Sequence, residues 1–100
     1  MIVGEAPAKE DIAHGYPFAG NSGELLEHVL SRFAFINRDD AYVTNTFLRP
    51  LQKPESKITD DEYDRVRSRL HTEILQVRPK YILALGRPAI RALIPEVSKY

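Results

Sequence analysis

Along this chain, short unbroken apolar runs alternate with longer stretches in which apolar residues return every three or four positions. Met1-Ile2-Val3 runs into Gly4, Tyr42-Val43 leads into Thr44-Asn45, and Tyr81-Ile82-Leu83-Ala84-Leu85, the clearest run, stops at Gly86. Runs of this kind, apolar on both faces, suit central parallel strands. Between them, Leu25, Leu26, Val29, Leu30 and Phe33 fall at helical spacing, with Asn21 placed to cap and Glu24 three residues on. Thr59-Asp60-Asp61-Glu62 has the form of a capping box, and Tyr63, Val66, Leu70, Ile74 and Val77 follow along one stripe. Pro88 suits the first turn of a last helix carrying Ile90, Leu93 and Ile94, which Pro95 ends.

The predicted order is therefore β-loop-α-β-loop-α-β-α. Right-handed crossovers turn that order into a three-layer α/β/α fold around a short parallel sheet, with strand order 2-1-3. The Tyr81–Leu85 strand then lies at an edge, and its apolar side chains are expected to be exposed there. Two predicted loops, about residues 5–21 and 46–58, are far longer than the ~2–6 residues usual in such units. Both follow the C-terminal ends of strands, where open α/β sheets bind ligands.

Composition narrows the chemistry. One hundred residues fit one domain and one core. Fourteen basic and fourteen acidic residues cancel, so any nucleic-acid contact must come from a local patch, not from bulk charge. The chain has no cysteine, which removes disulfides, thiol nucleophiles and thiolate-held zinc or iron–sulfur groups. No signal peptide and no bilayer-length apolar run are visible, so the expectation is a soluble cytoplasmic protein without a membrane partner.

The first long loop is more than a linker. Gly4-Glu5-Ala6-Pro7-Ala8 with Lys9-Glu10-Asp11, then Gly15-Tyr16-Pro17-Phe18-Ala19-Gly20-Asn21-Ser22-Gly23, resembles the signature of the uracil-DNA glycosylase superfamily, nearest its family 4. That signature reads G-E-A-P-G, an acidic cluster, then G-x-P-F-V-G-x-x-G. Thr44-Asn45 with Arg49-Pro50 looks like the family's T-N-x-x-K-C-R-P element, and Pro79–Gly86 like its P-K-x-I-x-A-L-G strand. Three ordered motifs span nearly the whole chain. The resemblance implies a uracil-DNA glycosylase-like domain over residues 1–100, hydrolysis of the N-glycosidic bond of a flipped-out uracil in DNA, and a role in base excision repair. There are departures. The family's four cluster cysteines have no counterpart, so no cofactor is expected; Ala8 replaces a glycine; and the family domain continues past the third strand into a further strand and a histidine-bearing loop. The expectation is a truncated or minimal domain, completed by a missing segment or a protein partner, with weak or no cleavage by the chain alone.

Hydrolysis of this bond needs an extruded base, a pocket that reads it, a stabilised leaving group and a positioned water. By resemblance, Glu5 and Asp11 match the acidic positions that would hold the water and stabilise the oxocarbenium-like sugar; without the motif they would read as a solvated charged loop, as Lys9 and Glu10 still do. A related family's aspartate would fall at Ala6, and Ala6 and Ala8 line the base site by their motif position. Phe18 occupies the place of a ring stacked on the base, the alternative being a core plug beneath the loop. Asn45, at the ligand-binding end of its strand, carries an amide able to pair with O4 and N3–H of uracil, the alternative being an Asx turn. Arg49 and Lys53, with Lys57, make the second loop basic and suit phosphate contacts or plain surface.

Arg65, Arg67 and Arg69 read as a solvated helix face. His28 and His71 read as boundary positions and His14 as a loop residue, without metal-ligand spacing; Gly20 and Gly23 serve backbone geometry. A second reading keeps the fold without catalysis, as a DNA- or protein-binding module such as a replication accessory piece. A flavodoxin-like nucleotide site at Gly4–Ala8 lacks the glycine pattern it would need.

Overall fold

The computed structural model describes residues 1–15, 21–34 and 40–97. Three strands form one parallel sheet: β1 (Ile2–Gly4), β2 (Val43–Asn45) and β3 (Leu83–Ala84), in the order β2-β1-β3. Ile2, Val3 and Gly4 pair with Val43, Thr44 and Asn45 on one side, and Ile2 and Val3 with Leu83 and Ala84 on the other. The helices are α1 (Lys9–His14), α2 (Asn21–Val29), α3 (Asp60–Val77) and α4 (Arg87–Leu93).

The two faces of β1 are buried by different helices. Ile2 packs with Leu26 and Leu30 beside Val43 and Leu85, so α2 and the helical turn that follows it cover that face. Val3 packs with Ile58, Tyr63, Leu70, Ala89 and Ala92, so α3 and α4 cover the other. The chain steps from β1 to β2 in one direction and from β2 across to β3 in the other. Keeping one hand through that reversal requires the connecting helices to lie on opposite faces, as they do. Tyr63 sits at the centre of the larger core, edge-on to Phe47 at 5.8 Å, with the Arg91 guanidinium 4.3 Å above its ring.

Helix ends follow local chemistry. Thr59 Oγ1 accepts the Glu62 N–H at 3.2 Å, the cap expected from the sequence. The Lys53 ammonium lies 2.5 Å from the Glu62 carboxylate and is the main cause that holds this carboxyl below its ordinary range. At its other end α3 is closed by Arg78, whose φ of 52° is left-handed, and whose N–H reaches the Ile74 carbonyl at 2.9 Å.

Four expectations need correction. The first loop contains a helix, α1, and the second a single 3-10 turn at Glu55–Lys57. In α2 and the π-helical turn Leu30–Ala34 that continues it, Gly23, Leu26 and Leu30 are buried, whereas Leu25 and Val29 face outward. A sheet of three short strands is too narrow to cover a stripe as wide as the one the sequence offers. Asn21 is the first helical residue of α2, and the cap position before it lies outside the described residues. His28 and His71 are exposed rather than at the core boundary.

Candidate functional site

The C-terminal ends of the three strands form one edge, where β1 runs into Glu5, β2 into Thr46 and β3 into Leu85 and Gly86. Thr46 is fully buried, and both its hydroxyl and its N–H donate to the Gly4 carbonyl at 2.7 Å. The next N–H, that of Phe47, reaches the Glu5 carbonyl at 2.9 Å, so β2 continues to grip the start of the first loop. Arg69 of α3 then closes the strand end: its Nη2 donates to the carbonyls of Asn45 at 2.6 Å and Thr46 at 2.8 Å. Its other terminal nitrogen pairs with Glu73, whose carboxylate also accepts the Tyr42 hydroxyl at 3.0 Å. Burial, followed by that bond to Glu73, pushes the Tyr42 hydroxyl above its ordinary pKa.

Asn45 is only 8% exposed. Strand alternation sets it on the face of Val43 and Ile2, toward α2. Among the described residues its side-chain amide has no hydrogen-bond partner, while its backbone is held on both sides. Glu5 is exposed and stands beside Gly86, its Cβ 3.9 Å from the position a Cβ would take there. Gly86 has a φ of 93°, which a side chain would strain. Ala6 is half-buried and Ala8 exposed.

Asp11 has a structural role that the sequence reading did not assign: Oδ2 accepts the Ala8 N–H at 3.0 Å, holding the turn into α1. Phe18 lies outside the described residues. The structure thus brings Asn45 beside Gly4, one residue from Glu5. The expected convergence of Glu5, Asp11, Asn45 and Phe18 on one concavity includes a residue beyond this description.

Among the described residues two open cavities stand out, and neither is lined by Glu5, Asp11 or Asn45. One, of about 630 Å³, lies between the segment after β2 and α3, with Arg49, Lys53, Arg65 and Arg69 on its walls. The other, of about 470 Å³, lies at the opposite edge of the sheet against Leu30, Tyr42, Val77 and Tyr81. Arg49 is exposed and unpaired among the described residues, whereas Lys53 is engaged with Glu62.

A model of the uracil-DNA glycosylase superfamily matches residues 1–99, which includes every residue of this edge. The chain belongs to the uracil-DNA glycosylase superfamily. It is 30% identical over 101 residues to the type-4 uracil-DNA glycosylase of Saccharolobus solfataricus, covering 98% of this chain and 45% of that protein. The corresponding protein of Archaeoglobus fulgidus is 33% identical over 88 residues, covering 87% of this chain and 43% of that one. That of Pyrobaculum aerophilum is 35% identical over 96 residues, covering 94% and 47% respectively. The chain therefore spans just under half the length of these relatives.

Within the family, the iron–sulfur cluster of family 4 needs thiolates, and these hundred residues contain none. The described residues offer no cluster of His, Asp and Glu suited to a metal ion either, so the residues present do not fit that group.

The solvated arginine face is the clearest correction at the site. Arg67 donates from Nε to the Ala92 carbonyl at 2.9 Å and from Nη2 to the Arg91 carbonyl at 3.2 Å, and Arg69 closes β2. Carbonyls at the ends of strands and helices must find donors when they are buried, and a long guanidinium reaches several at once. Of the three, Arg65 alone is exposed and unpaired among the described residues. A signal for Arg69 was available: it neighbours Leu70 on the buried stripe and has Glu73 four residues on.

Proposed function

We propose that this chain supplies the base-reading half of a uracil-excising site acting on DNA in the cytoplasm. The observation that carries this reading is Asn45: a residue 8% exposed, its amide without a partner among the described residues, on a backbone clamped by Gly4 and Arg69. An amide that makes no hydrogen bond within the protein has its donor and its acceptor open to a ligand at the strand end. Uracil presents an acceptor at O4 and a donor at N3–H, which one amide matches in one orientation; cytosine reverses both, so discrimination requires the amide to be held in that orientation when the base is bound. Membership of the superfamily and likeness to proteins named type-4 uracil-DNA glycosylase support the same assignment.

In the proposed reaction, the bond between uracil N1 and the sugar C1′ breaks and the electron pair leaves with the base. Water adds its oxygen to C1′, its proton passes to a carboxylate, and the uracil anion is then protonated. Glu5, exposed at the end of β1, is the proposed acceptor of that proton and the counter-charge to the cationic sugar. Asp11 holds the turn that carries Ala6 and Ala8 along the base, and adds a second carboxylate to the loop. Phe18 is the proposed stacking ring. The donor that steadies the leaving anion is assigned to a further segment or a partner chain, because the family keeps it beyond the third strand.

The test is release of uracil from a single-stranded oligonucleotide, the substrate that needs least unstacking. It is measured on the chain alone and together with the completing segment. Asn45→Ala is expected to lower release by about 10²–10³-fold, and Asp11→Ala to reduce it strongly. Release that ignores both substitutions would remove the site assignment.

A further inference from the structure

The groove behind β2 has a charge pattern that the base site does not use. Its walls carry four cations, but two are already neutralised: Lys53 by Glu62 and Arg69 by Glu73. Arg49 and Arg65 remain, both exposed and both without a partner among the described residues. Phe47, Leu48 and Val66 line the same groove, and Leu48 is 65% exposed. Thr46, the residue after Asn45, is part of its lining, so the groove adjoins the end of β2.

Unpaired guanidiniums over an apolar wall are what a single nucleic-acid strand recognises. The planar forks of arginine fit phosphate oxygens, and the wall takes the faces of unstacked bases. We propose that the groove between residues 46–53 and α3 binds the single-stranded DNA flank of the target nucleotide. Arg49 and Arg65 grip its phosphates, and Phe47 and Leu48 receive a neighbouring base. This placement of the flank rests on the uracil-reading role of Asn45; the groove's affinity for single strands does not. Lys53, spent on Glu62, is left out of the contact.

The experiment is fluorescence anisotropy of a labelled single-stranded oligonucleotide with one uracil, and of its thymine counterpart, titrated with the 100-residue chain over a range of salt. Arg49→Ala and Arg65→Ala are each expected to weaken binding on the order of tenfold and to flatten the log K against log salt slope by about 0.7. Arg49→Lys and Arg65→Lys are expected to keep the slope. Lys80→Ala, an exposed cation at the opposite edge, is expected to change neither.

Equal binding by the double alanine variant and the unaltered chain would overturn the groove, as would a loss with Lys80→Ala as large as with Arg49→Ala. Duplex DNA bound as tightly through the same two arginines would overturn the commitment to single strands, and displacement by an acidic peptide at equal concentration would overturn the commitment to DNA. If both strands bind alike through Arg49 and Arg65 while Asn45→Ala has no effect on uracil release, the groove stands and the base site falls. Uracil-selective binding that ignores both arginines removes the groove and leaves the base site.

Discussion

β2 and β3 pair with the same central strand and in the same direction, yet they are held in opposite ways. β2 is the more polar, Val-Thr-Asn, and its Thr44, Asn45 and the following Thr46 are buried. β3 lies in the most apolar run of the chain, yet Tyr81 is 84% exposed and Ile82 and Leu83 are also open to solvent. The difference lies in what stands over each strand. β2 has Arg69 on its last carbonyls and the Thr46 hydroxyl on Gly4, so its polar groups are satisfied and stay inside. β2 and β3 each have β1 as their one sheet neighbour among the described residues, but β3 has no such clamp over it and keeps an open apolar edge. Burial therefore tracks the satisfaction of backbone groups here, not hydrophobicity. The strand with polar side chains carries the candidate site because its position is over-determined.

Removing the clamp should show the largest effect. Arg69→Ala takes the guanidinium away from two carbonyls and leaves the Glu73 carboxylate with the Tyr42 hydroxyl alone, and unfolding in urea is expected to show a loss of about 2–3 kcal/mol. A loss within the range of a surface substitution would break the contrast between the two strands. Thr46→Val deletes one buried bond to Gly4, which keeps a second from the Thr46 N–H, so the same measurement should show about 1 kcal/mol. On the other strand, Leu83→Lys is expected to shift stability by less than about 0.5 kcal/mol. It should still lower self-association in sedimentation at high concentration, because it charges an open edge.

The smallest effect is the acid response of the Lys53–Glu62 pair beside the groove. The Glu62 carboxyl is held below its ordinary value chiefly by the Lys53 hydrogen bond. Its contribution is therefore present above the unfolded glutamate value of about 4.3 and is lost as pH falls through the lower folded value. Glu62→Gln should flatten the melting-temperature profile in that acid window and leave it unchanged near neutrality. An unchanged acid limb would mean that the pair does not hold in solution.

Much of this was legible in the chain. The run Met1-Ile2-Val3 before Gly4 announced a strand buried on both faces, and the spacing of Tyr63, Val66 and Leu70 announced α3 and its inward side. Asn45 could be placed at the ligand end of its strand because strand direction follows from the order of elements. The two short helical turns inside the long loops were not legible, since α1 at six residues carries too little periodicity to read. Arg67 and Arg69 were misread because a charged residue next to a buried stripe has two futures, solvent or a carbonyl across the gap. Only the neighbour decides between them.

What the sequence by itself determined was the order of strands and helices, the parallel sheet with β1 in the middle, and the family motifs along its C-terminal edge. These rest on short-range patterns and on the handedness of crossovers, both properties of the chain. Tertiary structure alone decided that, among the described residues, the Asn45 amide makes no hydrogen bond while its backbone is pinned, that Asp11 holds a turn, and that Arg49 and Arg65 have no partner while Lys53 and Arg69 do. Each of these depends on which donor meets which acceptor across tens of residues, and a charge or an amide has no fixed role until that partner is in place.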